Sequence, residues 1–432
     1  MTAIADPLAL ARNLAAADRF DEAAQAYRDA REVAPAEAAT FLGQHAAHRQ
    51  RWSEAVPLLR EAARLEPANL DVLENLGLAC ERTGAIVEAR SALERALAGD
   101  PQRFVARLML GFVEHRQGRP LTALAHMKWA FQQARQRGFW LDASTTPAWL
   151  HDPVRGANAF MGRFPEEHAA APLRGAGGDL IRVGAFIRGT LGLERQRSPD
   201  PRQAPKTHYF PGLPPSPWFD PALFPWSRRL EEAFPEILAE YLSVAHENAG
   251  FESFLTFRSA EQVTQYLGTT GPAPAWNAFF FYRHGVRNDE NCRRCPKTAA
   301  LLDDLPLIRL PGATPEICFS ILTPGSHILP HRGDSNLRSV VHLGLVVPES
   351  CALNVAGEAR GWEAGRVLAF DDTYEHEAWN RSESVRAVLL MDAWNPGLTE
   401  TEKRVLPSVI SEFDRMGREI ERLKPVASNL SA

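Results

Sequence analysis

The sequence predicts an α+β protein of more than one domain: an α-solenoid at the front, followed by an antiparallel β domain that folds back on itself. Two observations predict this. Small residues recur every 34 positions in the first third, at Gly43, Gly77 and Gly111 and again at Ala55, Ala89 and Ala123. An interval of that size is one pair of helices. In the last third, runs such as Ser339-Val340-Val341-His342-Leu343-Gly344-Leu345 read as strands, with alternate residues on opposite faces.

The solenoid is placed at residues 1–137. Gly84 and Gly118 keep the same interval, and prolines at 35, 67 and 101 punctuate successive units. Small residues let paired helices approach closely, and proline cannot continue a helix. Val56, Leu59, Ala63 and Leu65 are spaced as one helical face. The pattern resembles tetratricopeptide repeats, as three units plus a flanking helix. Such repeats bury their faces only by stacking, which leaves a concave groove. The resemblance implies a platform for a peptide or protein partner; a dimerising or stabilising module is the alternative.

Residues 138–205 are read as a connecting region, with Trp140 to Trp149 capping the solenoid and 158–171 as loop or short helix. Nine prolines fall between 199 and 225, interleaved with Tyr209, Phe210, Trp218, Phe219 and Phe224. That density forbids a long helix, and so many aromatics are foreign to a disordered linker. The segment is therefore expected to wrap the β domain, placed at 206–432. Helices are expected at 227–247 and 258–268, and strands from Ala275 to Trp394. Thr399-Glu400-Thr401-Glu402 reads as a capping box opening a last helix toward Leu423.

Composition narrows the function classes. A chain of 432 residues exceeds a single core. A net charge of −5 argues against sequence-independent nucleic-acid binding, which needs a basic stripe. No apolar run reaches the length of a membrane span, and no signal peptide is expected. The five cysteines, Cys80, Cys292, Cys295, Cys318 and Cys351, are an odd and sparse set that suits the cytoplasm. Cys292 and Cys295 form a C-x-x-C with no second pair for zinc, and are read as structural.

The chemistry centres on three residues. His331 stands in Pro330-His331-Arg332-Gly333, His376 in Thr373-Tyr374-Glu375-His376-Glu377, and Arg386 in Val385-Arg386-Ala387-Val388. The two imidazoles converge if the sheet folds back, and an arginine one hairpin further on supplies a fork for a carboxylate. An arginine inside a Val/Leu strand is costly to bury unpaired, and a ligand carboxylate would answer that cost. This is the layout of a non-haem iron oxygenase in a double-stranded β-helix, a jelly-roll or cupin-like barrel.

Further motifs extend the pattern. Ser320 precedes Thr323-Pro324-Gly325-Ser326-His327; His342-Leu343-Gly344-Leu345, Trp362-Glu363-Ala364-Gly365 and Phe370-Asp371-Asp372 follow; then come His376-Glu377-x-Trp379 and Asp392-x-Trp394-x-Pro396. On these motifs, residues 206–398 resemble the aspartyl/asparaginyl β-hydroxylase family of iron(II)- and 2-oxoglutarate-dependent oxygenases. The resemblance implies that His331 and His376 bind Fe(II) and that Arg386 anchors the far carboxylate of 2-oxoglutarate. It further implies that Ser320 donates to the same carboxylate and that His342 bonds the end near the metal. Arg338 and Arg332 are candidates for reading an acidic substrate side chain, or are surface residues. Most such sites carry a carboxylate two residues after the first histidine. Here that position is Gly333, as in the family, which implies water in the third place; Asp334 points to the other strand face. His327 is read as a loop or supporting histidine, and Asp371 and Asp372 as pinning a turn. The implied activity is hydroxylation of a C–H bond, most readily the β-carbon of Asp or Asn in a peptide or protein. Hydroxylation of a lipid acyl chain or small molecule, and a non-catalytic scaffold with a degenerate barrel, are the alternatives.

Overall fold

The computed structural model describes residues 6–248, 250–255, 267–269, 275–310 and 312–425. Eight helices pair in order: α1 (Pro7–Ala16) with α2 (Phe20–Asp29), α3 (Pro35–His48) with α4 (Trp52–Leu65), α5 (Leu70–Thr83) with α6 (Ile86–Gly99), and α7 (Phe104–Arg116) with α8 (Pro120–Gln136). The array therefore has four pairs, not three and a flanking helix. The first pair escapes the 34-residue pattern because its close contact uses the buried alanines Ala11 and Ala23 in place of glycine.

The repeated glycines have a steric cause. A Cβ on Gly43, Gly77 or Gly111 would lie 2.7, 2.5 or 2.8 Å from Leu59, Leu93 or Met127. In each case the partner sits sixteen residues on, along the second helix of the same pair. Gly84 has a different job: at φ +80° it ends α5 in the left-handed conformation.

The contacts group the chain into two compact units, residues 1–165 with 413–432, and 166–412. These boundaries differ from those drawn on the sequence. Residues 151–169 form one helix, α9 (His151–Ala169), where the sequence suggested loop or short helix. Gly156, Gly162 and Pro165 read as breakers, yet both glycines have open space beside them. Within the first unit, Leu150, Val154 and Ala157 join the core of α5 to α8, and Phe160 packs on His115 with ring centroids 4.8 Å apart. Residues 413–425 belong to the same unit because the solenoid holds their end. Trp129 donates to the Ile420 carbonyl at 2.6 Å and Arg107 to the Leu423 carbonyl at 3.2 Å. A cation at a helix C-terminus is favourably placed.

The second unit is the double-stranded β-helix. Its strands are β1 (Trp218–Phe219), β2 (Glu252–Ser253), β3 (Leu267–Thr269), β4 (Trp276–Arg283), β5 (Val286–Arg287), β6 (Ile317–Leu322) and β7 (Ser326–His331), then β8 (Arg338–Val346), β9 (Cys351–Val355), β10 (Glu358–Arg360), β11 (Val367–Phe370), β12 (His376–Asn380) and β13 (Arg386–Trp394). One sheet runs β1-β11-β8-β13-β6-β4-β2 with β5 on β4, and the other runs β10-β9-β12-β7-β3. Alternation sorts the larger sheet's side chains. Past α10 (Ile181–Thr190), Val341, Leu343, Phe319 and Leu389 face α11 (Ser227–Glu232), α12 (Phe234–Glu247), α13 (Asp289–Arg294) and α14 (Pro296–Asp304). Val340, Cys318, Val388 and Leu390 face the smaller sheet.

The expected helix at 227–247 is split at Ala233, before Pro235. Of the helix expected at 258–268, residues 258–266 lie outside the described residues, and Leu267 and Gly268 are in a strand. Cys292 and Cys295 are buried and unpaired. The lead-in segment does wrap the barrel: Trp218 and Phe219 pair with Phe370 and Ala369. The capping box is present too, with Thr399 N–H donating to Glu402 at 2.8 Å and Glu402 N–H to Thr399 Oγ1 at 3.2 Å. It opens α15 (Glu400–Arg422).

Gly77→Val should lower stability by about 1–3 kcal/mol in urea unfolding of the full chain, because Leu93 leaves no room for a side chain. Gly156→Ala, in open space on α9, should be neutral or slightly stabilising. Equal effects from the two would contradict the close-packing role of Gly77.

Candidate active site

His331 ends β7 and His376 begins β12, and the two are register partners. Their ring centroids lie 4.1 Å apart. Each Nδ1 meets a backbone carbonyl, Leu329 O at 2.8 Å for His331 and Tyr374 O at 3.0 Å for His376. A carbonyl only accepts, so each Nδ1 carries the proton and each Nε2 keeps a bare lone pair. Burial pulls both imidazoles below their ordinary range, His376 down to about 3. They are therefore neutral, the form that ligates a metal.

The third ligand position is closed by packing. A Cβ on Gly333 would lie 2.1 Å from Asp372 Oδ2, and Gly333 N–H donates to the Asp372 carbonyl at 2.6 Å. The Asp372 carboxylate thus fills the space a side chain at 333 would need. Burial pushes it up to about 7, against the pull of Arg338. Asp334 is exposed at the cavity's rim, its carbonyl bonded by Thr207 and His208 N–H. Among the described residues, no group of three or more His, Cys, Asp or Glu could hold a metal. His331 and His376 are a pair, below that count.

A cavity of about 300 Å³ opens between the sheets, with the histidine pair on one wall. Arg386 lines it as well, at 2% exposure. Register explains the convergence: Val388 pairs with Ser320 and Leu390 with His342, so alternate residues of β13 and its neighbours point inward together. Arg386 donates to the Ser320 carbonyl at 3.3 Å and lies 4.9 Å over the Trp362 ring. Its Nε has no partner among the described residues, and burial draws the guanidinium down to about 10. Ser320 Oγ accepts from Trp276 Nε1 at 3.0 Å. His342 Nδ1 accepts from Trp362 Nε1 at 3.0 Å, and its Nε2 is buried without a partner among the described residues. Burial, then Arg386, holds His342 down to about 3.

The structure therefore gathers His331, His376, Arg386, Ser320 and His342 around one cavity. The remaining two candidates differ. Arg338 lines the cavity but already bonds Asp372 at 2.5 Å and Asp392 at 2.8 Å. Arg332 donates to the Arg202 and Thr373 carbonyls and pairs with Glu375 at 3.6 Å, beside a second hollow that His376 also lines. Neither presents a free guanidinium. His327 pairs with Glu377 at 2.7 Å. Asp371 accepts from Thr373 N–H at 2.9 Å and from Gln203 at 2.6 Å, which pins the turn before His376. Trp276, Gln203 and the steric role of Asp372 were not drawn from the sequence. Trp276 had one signal: it leads the alternation Trp276, Ala278, Phe280 into the barrel.

Residues 231–396 match the aspartyl/asparaginyl beta-hydroxylase family, and residues 8–69 and 49–104 match the tetratricopeptide repeat. The chain carries an aspartyl/asparaginyl β-hydroxylase domain behind tetratricopeptide repeats. Human aspartyl/asparaginyl beta-hydroxylase is 41% identical over 136 residues, covering 31% of this chain and 18% of that protein. The ornithine lipid ester-linked acyl 2-hydroxylase of Rhizobium tropici is 35% identical over 183 residues, covering 42% and 61%. Aspartate beta-hydroxylase domain-containing protein 2 of Mus musculus is 30% identical over 234 residues, covering 53% and 66%. The chain thus spans less than two thirds of each of these relatives. Among solved structures, a crystal structure of MamA is 20% identical and covers 31% of this chain and 78% of that one, at TM-score 0.28.

Gly333→Ala should lower stability by about 1–3 kcal/mol, since even a methyl group overlaps the Asp372 carboxylate. Binding of manganese(II), followed by calorimetry, should weaken as the turn beside His331 shifts. Adding Asp372→Gly, which empties the space, should restore it. Unchanged metal binding in Gly333→Ala would show that the crowding at 333 does not bear on the histidine pair.

Proposed function

We propose that this domain is an iron(II)- and 2-oxoglutarate-dependent dioxygenase that hydroxylates a C–H bond. The observation that carries the reading is Arg386. It is a buried guanidinium with no carboxylate partner among the described residues, facing the same cavity as two neutral imidazoles. Burying a cation unpaired is costly, and a ligand carboxylate removes that cost. A small diacid with one end at Arg386 and the other at the histidine pair fits this arrangement. Iron(II), when bound, would supply the oxygen chemistry that couples decarboxylation of 2-oxoglutarate to hydroxylation.

His331 and His376 would hold the metal, each oriented by the carbonyl that fixes its Nδ1 proton. Arg386 and Ser320 would hold the far carboxylate, with His342 Nε2–H donating at the end nearer the metal. Part of the remaining wall is apolar, with Phe254, Ile328, Val340, Leu353 and Leu390, beside the charged Arg283, Glu316, Arg338, Asp372 and Asp392. That wall supports a second reading of the substrate. The human relative's name suggests the side chain of Asp or Asn in a protein, and the Rhizobium relative's name an acyl chain. Because Arg338 is neutralised by Asp372 and Asp392, an acidic side chain would meet no free guanidinium. An uncharged aliphatic segment fits the apolar part of the wall. We place the repeats as a docking platform for a partner protein, and the reaction in a reducing compartment such as the cytoplasm, which suits five buried, unpaired cysteines.

Succinate release with iron(II), 2-oxoglutarate and oxygen tests the reading directly. His331→Ala or His376→Ala should abolish it, whereas Asp334→Ala should retain it. Arg386→Lys should raise the 2-oxoglutarate requirement by about ten- to hundred-fold, as a point charge replaces a fork. Unchanged dependence in Arg386→Lys would remove Arg386 as the anchor, and absence of succinate from the wild type would remove the activity.

A further inference from the structure

Two indoles bear on the inner end of the cavity without touching the metal pair. Trp276 Nε1 donates to Ser320 Oγ at 3.0 Å, and Trp362 Nε1 donates to His342 Nδ1 at 3.0 Å. A serine hydroxyl can donate or accept, and a neutral imidazole offers one nitrogen for each role. An indole N–H can only donate. Trp362 therefore occupies the one acceptor of His342, and Trp276 one of the two lone pairs of Ser320 Oγ. What is left facing the cavity is the Ser320 O–H and the His342 Nε2–H, the latter buried without a partner among the described residues.

Trp362 acts a second time. Its ring lies 4.9 Å from the Arg386 guanidinium carbon, so the π face supports the cation before any anion arrives. Trp276 is fixed in turn by stacking on Phe254, with centroids 3.9 Å apart and planes 7° from parallel. Both indoles are thus held rigidly against the groups they bond.

We infer that Trp276 and Trp362 are positioning residues: Trp276 turns the Ser320 proton toward the carboxylate held by Arg386, and Trp362 commits His342 Nε2 to donating at the end nearer the metal. A site with those protons fixed takes a carboxylate at each end in preference to its neutral derivative. Without the indoles, Ser320 could turn a lone pair inward and His342 could present its other tautomer, and either would repel a carboxylate. The inference rests on the assignment of 2-oxoglutarate to this cavity.

The test uses the full chain loaded with manganese(II), which permits binding without turnover. Calorimetry follows 2-oxoglutarate and, separately, its neutral C5 amide. Trp362→Phe keeps a ring under Arg386 and removes only the N–H; Trp276→Phe keeps the stack on Phe254 and does the same. Each should weaken 2-oxoglutarate about tenfold, the scale of one hydrogen bond. Trp276→Phe should weaken the amide less, so discrimination falls, whereas Trp362→Phe, acting at the other end, should weaken both ligands alike. Trp362→Phe should cost little more in a His342→Ala background, and Trp276→Phe little more with Ser320→Ala, because each indole acts through that partner. Equal losses for both ligands in Trp276→Phe, or fully additive cycles for either indole, would reduce the indoles to packing and overturn the inference. Failure of the wild type to bind 2-oxoglutarate would instead overturn the co-substrate assignment itself, a separate result.

Discussion

A guanidinium with 2% exposure and no acidic partner among the described residues is the constraint around which the barrel is organised. Taking such a charge from water costs several kcal/mol unless something replaces its hydration. Here the replacement is partial: one carbonyl, one aromatic face and an Nε left unsatisfied. The fold supports that deficit because Arg386 lies on a central strand, bonded to β6 on one side and β8 on the other. Its neighbours cannot relax away from it. The unsatisfied group is thus preserved, and an anion entering the cavity would supply what it lacks.

The opposite device operates near the histidine pair. There Arg338 bridges Asp372 and Asp392, tying the turn before His376 to the end of β13. The same Asp372 carboxylate crowds Gly333, so one residue both pairs with a cation and denies position 333, two residues after His331, a side chain. Two arginines on neighbouring strands, β8 and β13, thus meet contrasting fates. Arg338 is satisfied from within and so acts as a brace, whereas Arg386 is left without an acidic partner among the described residues. Residue type does not distinguish them; the carboxylates within reach do.

That difference marks how far the sequence could be read. The period-two faces of β8 were legible from alternation, whereas Ser320 and His342 were picked out by the family resemblance, and the folded register sets them beside the inward face of β13. The capping box at Thr399 and Glu402 was legible because both its bonds are local. The saturation of Arg338 was not, since its partners lie 34 and 54 residues further along and only the folded register brings them close. The pairing of α1 with α2 was hidden for a related reason. Alanine there does what glycine does in the later repeats, and alanine is too common to mark a period. Helix α9 was obscured by glycines that cost little because nothing packs on them.

The cavity joins donors, paired charges and hydrocarbon in one lining. Arg386, Ser320, His342 and the two neutral imidazoles share it with Ile328, Val340, Leu353 and Leu390, and with Arg338, Asp372 and Asp392, whose charges already answer one another. A diacid that enters would find in Arg386 a buried cation without an acidic partner among the described residues, so its charge has one favoured place to go. Filling that place would leave the paired charges and the apolar side chains to the second ligand, and ordering of co-substrate before substrate would follow from that difference.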